Sequence, residues 1–353
     1  MPTNEIFQKI IQGYGSKGET VSNYDALAQL LFSVWTARSV YAVAELGVAD
    51  ALKDGPKTIA EIAVTTQTHA PSLYRLLRGV ASVGIFAERE DGKFEQTPLS
   101  EHLRSDIPDS VHSPAVFMGS LGYRSWGEVV YSVKTGNIGF NQAYGTEVFN
   151  WFSDPANLPT AIHFNNTMVA LWTMVASDVA NAYDFSQFKK IVDIGGSHGL
   201  LLESILKTYP EAKAVLFDLP HVIERTKVRF EQAGLADRCE AISGSFFESV
   251  PAADGYIMSN VIHDWDDEKS IAILSNCRKA IAENGKVLLV EQVIEKGNAP
   301  GLGKFMDLEM LVITGGRERT ADQYKELLQA AGFEVTNIIA TKRLASIVEA
   351  VPR

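Results

Sequence analysis

The chain has 353 residues, with 32 lysines and arginines against 43 aspartates and glutamates, a formal net charge of −11. Hydrophobic residues make up 46%, which excludes a mainly disordered chain, and the acidic balance argues against a protein that tracks nucleic-acid phosphates. The two cysteines, Cys239 and Cys277, lack C-x-x-C spacing, which excludes a disulfide scaffold and a thiolate zinc site, so no metal is expected.

The length suits two domains or one large one. No apolar h-region follows a basic stretch over residues 1–20, so no signal peptide is expected. No run is apolar enough to span a membrane, which makes a soluble cytoplasmic protein the default. Residues 25–52 are rich in helix formers. Leu27, Leu30, Leu31, Val34, Ala37 and Tyr41 lie near a 3.6-residue period, an apolar stripe that must bury its face. Thr58 and Glu61 form a capping-box pattern that predicts a second helix. A third follows Pro71, over Ser72–Val83, with Gly84 ending it. Ile85–Arg89 and Lys93–Thr97 then flank Asp91-Gly92, a hairpin signal. Helix, turn, helix and hairpin read as a winged helix. Such a module invites a DNA-binding reading, but the candidate recognition helix offers Arg75 and Arg78 and little other positive charge, so a packing module is expected.

Residues 106–185 read as irregular helices rich in aromatics, among them Phe117, Trp126, Phe140, Trp151, Phe164 and Trp172. Most suit a core, and some suit the wall of an aromatic pocket. From Phe188 the pattern alternates strand and helix. Strands are expected over 190–195, 212–219, 239–246, 255–262 and 286–294, and helices over 198–208, 221–233, 266–282 and 320–331. A closing hairpin of strands 334–341 and 345–351 surrounds Lys342-Arg343. Repeated β-α units predict a Rossmann-like α/β fold: a mainly parallel sheet with helices on both faces. The last tight hairpin must be antiparallel, because so short a link cannot make a parallel crossover.

Ligands of open α/β sheets bind beyond the carboxyl ends of the strands. Four strand ends there carry polar and glycine residues: 193–199, 217–220, 244–247 and 260–265. A dinucleotide fingerprint needs glycine at 195, 197 and 200, and Ser197 and Leu200 break it, which disfavours hydride transfer. No Walker sequence is present. Asp218 follows Gly195 at about the 20-residue interval of an acid that binds ribose hydroxyls; the alternative is a helix N-cap before Pro220. Glu291 interrupts the apolar run 287–290, and a buried carboxylate needs a partner. Asp264, Asp266 and Asp267 crowd a helix N-terminus, where negative charge is favoured.

Residues 188–351 resemble the class I methyltransferases that use S-adenosylmethionine, through VDIGGSHG (192–199), LFDLP (216–220), GSFFESVP (244–251), NVIHDWDDE (260–268), GKVLLVEQVI (285–294) and GGRERT (315–320). The whole chain is similar to small-molecule O-methyltransferases of the caffeate, hydroxyindole and polyketide-antibiotic tailoring type. The resemblance implies an N-terminal winged-helix-like dimerisation domain over 1–105 and a methyltransferase domain over 106–353, in which 106–185 lines the substrate pocket. It implies His263 as general base for an aromatic hydroxyl, with Glu291 and Glu318 holding it. Gly195, Gly196, Asp218, Ser245, Phe246 and Ser259 then fall at cofactor positions, and Met168, Trp172, Met310 and Asp264 at the acceptor. Many members have aspartate at the position of Ser245 and lysine at that of Ser259; a hydroxyl still donates and accepts there. The partners implied are an aromatic small molecule and a second copy of the chain, with no nucleic acid or membrane. Two rival readings are a member that binds the cofactor but catalyses a different reaction, and a winged-helix DNA-binding regulator. The intact His263, Glu291 and Glu318 set argues against the first and the acidic charge against the second.

Overall fold

Seven strands form the main sheet in the computed structural model, which describes residues 22–343 and 345–353, without the side chains of Met174, His221 and Arg225. The N-terminal stretch read for a leader, residues 1–20, lies outside the described residues. Two short strands precede the sheet in the chain, β1 (Ala87–Glu88) and β2 (Phe94–Glu95). The sheet comprises β3 (Ile191–Ile194), β4 (Ala214–Asp218), β5 (Cys239–Ser243), β6 (Ala253–Ser259), β7 (Ile281–Glu291), β8 (Phe333–Ala340) and β9 (Ser346–Pro352). Their spatial order is β5-β4-β3-β6-β7-β9-β8. The pairs from β5 to β7 are parallel, and β9 pairs antiparallel with both β7 and β8. The α/β reading with an antiparallel C-terminal hairpin is thus correct.

Alternation along the strands feeds two separate cores. On β7, Leu288 and Val290 join one apolar cluster, with Val179, Ile205 and Leu216. Val287 and Leu289 join the other, with Ile273, Tyr324 and Leu328. Burial on both faces explains the near-continuous hydrophobic runs of the central strands. The strand order reverses between β3 and β6, so the crevice expected for a ligand opens beyond their carboxyl ends.

The described chain divides into two compact units. The first runs to Arg124 and takes in Asp154–Ala170; the second comprises Ser125–Ser153 and Leu171–Arg353. In the first, the Asn23–Glu45 helix starts at Ser22, whose hydroxyl accepts from the Asp25 N–H at 3.1 Å. The Thr58–Glu61 capping box is present and opens the Ile59–Thr65 helix. The Ala70–Ala81 helix follows, then the antiparallel β1–β2 pair, around a core of Val43, Leu52, Ile62, Leu77, Phe86 and Phe94. Leu27, Leu30, Leu31 and Val34 are exposed, as are Phe32 and Trp35, so the apolar surface is broader than the stripe read from the sequence. Among the described residues no helix is long and apolar enough to cross a membrane.

Several boundaries differ from expectation, for local reasons. The helix expected from His198 starts at Leu200, because Gly195, Ser197 and Gly199 all take positive φ in the preceding loop. The strands expected to reach Phe246 and Ile262 end at Ser243 and Ser259. After Ser259 the chain turns through Asn260, at φ +54°, into a short 3-10 turn, Ile262–Asp264. Asp266 caps its helix rather than opening it, accepting from the Lys269 N–H at 2.8 Å. The Gly303–Ile313 helix, absent from the sequence reading, carries Met310.

Candidate active site

His263 stands on the 3-10 turn beyond β6 and is 7% exposed. Its Nδ1 lies 2.9 Å from Glu318 Oε1 and 3.8 Å from Glu291 Oε2. The structure thus brings together the three residues named from HDW, VEQ and GGRERT. Glu291, at the end of β7, is fully buried; its Oε1 accepts from the backbone N–H groups of Val261 and Ile262 at 3.2 and 2.9 Å. One carboxylate therefore holds the backbone of the turn and faces the imidazole as well. Oε2 of Glu291 and Oε2 of Glu318 are buried with no hydrogen-bond partner among the described residues.

The other imidazole nitrogen, Nε2, is 3.8 Å from Asp264 Oδ1, too far for a hydrogen bond. Burial alone would depress the His263 pKa, but Asp264, Glu291 and Glu318 outweigh it and push it up to about 10. Burial pushes Glu291 up to about 7 and Asp264 up to about 6. One ligand atom from each of His263, Glu291 and Glu318 lies within 4.8 Å of the others, a spacing compatible with a cation. The 2.9 Å Nδ1–Oε1 contact is itself a hydrogen-bond distance.

The loop that carries Glu318 lies directly on the His263 turn. The Arg317 N–H donates to the His263 carbonyl at 2.8 Å. A Cβ on Gly316 would stand 1.9 Å from that same oxygen, so only glycine permits the approach. The Glu318 N–H donates to Asp307 Oδ1 at 2.9 Å, and Thr320 caps the Ala321–Ala330 helix.

On the β3 side of the crevice, Asp218 Oδ2 accepts from the Ser197 N–H at 2.9 Å and Oδ1 from the Leu219 N–H at 2.7 Å. Leu219, not Asp218, stands at the N-cap of the Pro220–Gln232 helix. Gly195 takes φ +71°, and the Phe246 ring lies against it. Phe246 also meets Trp265 edge-on, with ring centroids 6.2 Å apart. Ser245 Oγ accepts from the Phe247 N–H at 3.3 Å, and Ser259 Oγ from Asn260 Nδ2 at 3.4 Å.

Sequence reasoning missed Asp193. It is 1% exposed, and neither carboxylate oxygen has a hydrogen-bond partner among the described residues. Its Oδ2 lies 2.6 Å from where a Cβ on Gly196 would stand. Burial and then Asp218 push its pKa up to about 8. The signal was available: an aspartate inside the apolar strand Ile191–Ile194 is the same interruption that singled out Glu291. Two acids beside Gly195, Gly196 and Gly199, where a Cβ would meet a neighbour at under 3 Å, fit a ligand bearing hydroxyls.

The residues read for the acceptor are divided between the two units. Met168 belongs to the first unit, and Trp172, Met310 and Asp264 to the second. Met168 and Trp172 are half-buried on the Leu158–Ala182 helix, and Trp172 packs on the core cluster around Val179. Met310 is buried, and its sulfur lies 3.8 Å from Thr314 Oγ1.

A family model described as the O-methyltransferase domain matches residues 124–334, and one described as the O-methyltransferase dimerisation domain matches 28–106. The chain is 45% identical to a phenazine O-methyltransferase of Lysobacter antibioticus, over 92% of this chain and 95% of that one. It is 36% identical to a 3-amino-4-hydroxybenzoate 4-O-methyltransferase of Streptomyces cremeus, over 88% and 86% of the two chains. Among solved structures it resembles an O-methyltransferase from neocarzinostatin biosynthesis, in complex with S-adenosyl-L-homocysteine and 1,4-dihydroxy-2-naphthoic acid. That match has a TM-score of 0.80 at 33% identity and covers 90% of this chain and 96% of that one. With a site of this geometry and these relatives, the chain belongs to the O-methyltransferase family, enzymes whose methyl donor is S-adenosylmethionine.

Proposed function

We propose that this enzyme methylates a hydroxyl of an aromatic small molecule of secondary metabolism, with His263 as general base. The observation that carries this reading is the pair of imidazole edges: Nδ1 is held at 2.9 Å by Glu318, while Nε2 makes no hydrogen bond among the described residues. When bound, S-adenosylmethionine supplies an electrophilic methyl on a sulfonium. The chain's own task is to align the acceptor oxygen and take its proton. A phenol has a pKa of about 10 and is mostly neutral at pH 7. Asp264, Glu291 and Glu318 push the His263 pKa up towards that range, which makes the imidazole a stronger acceptor for the proton. The acidic cluster raises the imidazole pKa, so its basic form grows as the pH rises. Positive charge entering the site lowers the pKa in the same direction.

In this reading Glu318 and Glu291 orient the imidazole. Gly195, Gly196, Asp218, Ser245, Phe246 and Ser259 hold the donor, and Asp193 joins them. Met168, Trp172, Met310 and Asp264 meet the acceptor. Relatives named for hydroxylated aromatics support that substrate class. The match of 28–106 to a dimerisation domain, with the exposed apolar helix, supports a homodimer. Residues 1–105 then serve dimerisation and 106–353 catalysis, with 106–185 along the acceptor. Two buried free cysteines suit a reducing, cytoplasmic setting. The acidic charge suits neither nucleic acid nor an anionic membrane as partner.

The test is His263→Gln with a hydroxylated aromatic acceptor. Turnover should fall about 10²–10⁴-fold, the span for losing a general base, with S-adenosylhomocysteine bound as tightly as in wild type. Wild-type turnover at pH 7 would reduce His263 to a core residue.

A further inference from the structure

Arg319 follows Glu318 directly and is among the largest fully buried side chains, 1% exposed. Its Nη1 donates to the Ile262 carbonyl at 3.1 Å and its Nη2 to the Trp265 carbonyl at 3.0 Å. Those carbonyls bracket His263 and Asp264. Nε and Nη2 also donate to Asp267 Oδ1, at 3.1 and 2.7 Å. Asp267, half exposed, is its ion-pair partner. The 3-10 turn has no side-chain cap of its own.

A purely structural account of this arginine is weak. It sits at the N-terminal end of the Asp267–Ala280 helix, where a positive charge opposes the helix dipole. Burying a guanidinium is costly unless its donors are met. The helix start is already served by Asp266 as N-cap. What the guanidinium gains is the pair of carbonyls flanking the imidazole, gripped by a rigid planar fork.

We propose that Arg319, aligned by Asp267, is the positioning residue of the base: it fixes the turn in the register where His263 Nδ1 meets Glu318 and Nε2 faces the acceptor. Glu318 and Arg319 then hold the side chain and the backbone of one residue from adjacent positions. This inference rests on His263 being the base. A displacement of about 1 Å in a reacting group costs on the order of 10²-fold in rate, so the grip matters even though Arg319 touches no substrate.

The test uses the full-length enzyme with Arg319→Lys, which keeps the charge but loses the fork, and Asp267→Asn, which removes the charge but keeps an amide oxygen to accept from Nε and Nη2. Arg319→Lys should lower kcat about 10²-fold and Asp267→Asn about tenfold, with the KM for the donor within about twofold of wild type. The limb of the kcat–pH profile that belongs to His263 should move to lower pH. A turn that drifts from Glu318 loses the hydrogen bond that raises the imidazole, leaving Asp264 and Glu291 as its charged neighbours. In a His263→Gln background Arg319→Lys should cost nothing further, since it acts only through the imidazole. Equal losses in both backgrounds, or wild-type kcat and pH limb in both single variants, overturn the proposal. Should Arg319→Lys fail to fold, Asp267→Asn decides by the same measurements. Wild-type turnover in His263→Gln is a different failure: it removes the base itself.

Discussion

Asp193 and Glu291 each adjoin a run of apolar strand residues, and the difference between them is a partner. Glu291 meets two backbone N–H groups and the imidazole, whereas Asp193 has no hydrogen-bond partner among the described residues. Its pKa is pushed up to about 8, against about 3.9 in an unfolded chain. A raised pKa means that the folded state keeps its proton longer. Its contribution to stability is therefore full below about pH 4 and lost as the pH climbs through about 8. Asp193→Asn keeps the shape and removes the titration. Its Tm advantage over wild type should be larger at about pH 8 than at about pH 5, while S-adenosylhomocysteine binding weakens. Equal advantages at both pH values would show that folding does not raise the Asp193 pKa. At the same scale, Glu318→Gln removes a charge that raises His263, so the kcat/KM profile should rise at lower pH than in wild type. An unmoved profile would mean that the limb belongs to another group. The motifs made His263, Glu291 and Glu318 legible in the sequence. Arg319 was not, because a buried arginine in a loop reads like any surface charge until its carbonyl partners are placed.

Elements were legible in type and less so in their ends. The alternation of strand and helix after Phe188 gave the parallel sheet, and the short link at 341–345 gave the antiparallel hairpin. Ends failed where backbone geometry overrode pattern: positive φ in the glycine loop delayed one helix, and Asn260 ended β6 early. The Gly303–Ile313 helix went unread because Leu302 stands at its N-cap, where no side chain caps, and a Gly/Pro-rich stretch precedes it. The contact of the 315–319 loop with the His263 turn is also invisible in sequence, since it joins positions more than fifty residues apart. It can be tested at Gly316. With a Cβ 1.9 Å from the His263 carbonyl, Gly316→Ala must push the loop away and take Glu318 with it. Overpacking of this kind typically costs about 1–3 kcal/mol of stability, and turnover should drop by about 10²-fold from the misplaced base. Thermal melts and kinetics on the purified variant measure both. Wild-type kcat in Gly316→Ala would show that loop and base are not mechanically linked.

At the scale of the whole molecule, the unresolved demand is the apolar face of the Asn23–Glu45 helix. Leu27, Leu30, Leu31 and Trp35 are 60%, 71%, 66% and 62% exposed, although the same helix buries Val43 and Ala44 at its other end. Each large apolar side chain left in water forgoes about 1.5–3 kcal/mol of burial. A contiguous patch of this kind marks an interaction surface rather than chance. The dimerisation-domain match begins at residue 28, inside this helix. A second copy offers the same apolar face, so a twofold arrangement can bury both at once. Leu30→Glu with Leu31→Glu places two like charges on each face, four across a twofold contact, and removes the burial that drives it. The core of Val43, Leu52, Ile62 and Leu77 lies away from those positions, so the fold should persist and far-UV circular dichroism should stay native. Light scattering should find wild type as a dimer and the double variant as a monomer at the same concentration. A double variant that remains dimeric would move the interface elsewhere, and a wild-type chain that stays monomeric as concentration rises would leave the exposed leucines without the partner proposed for them.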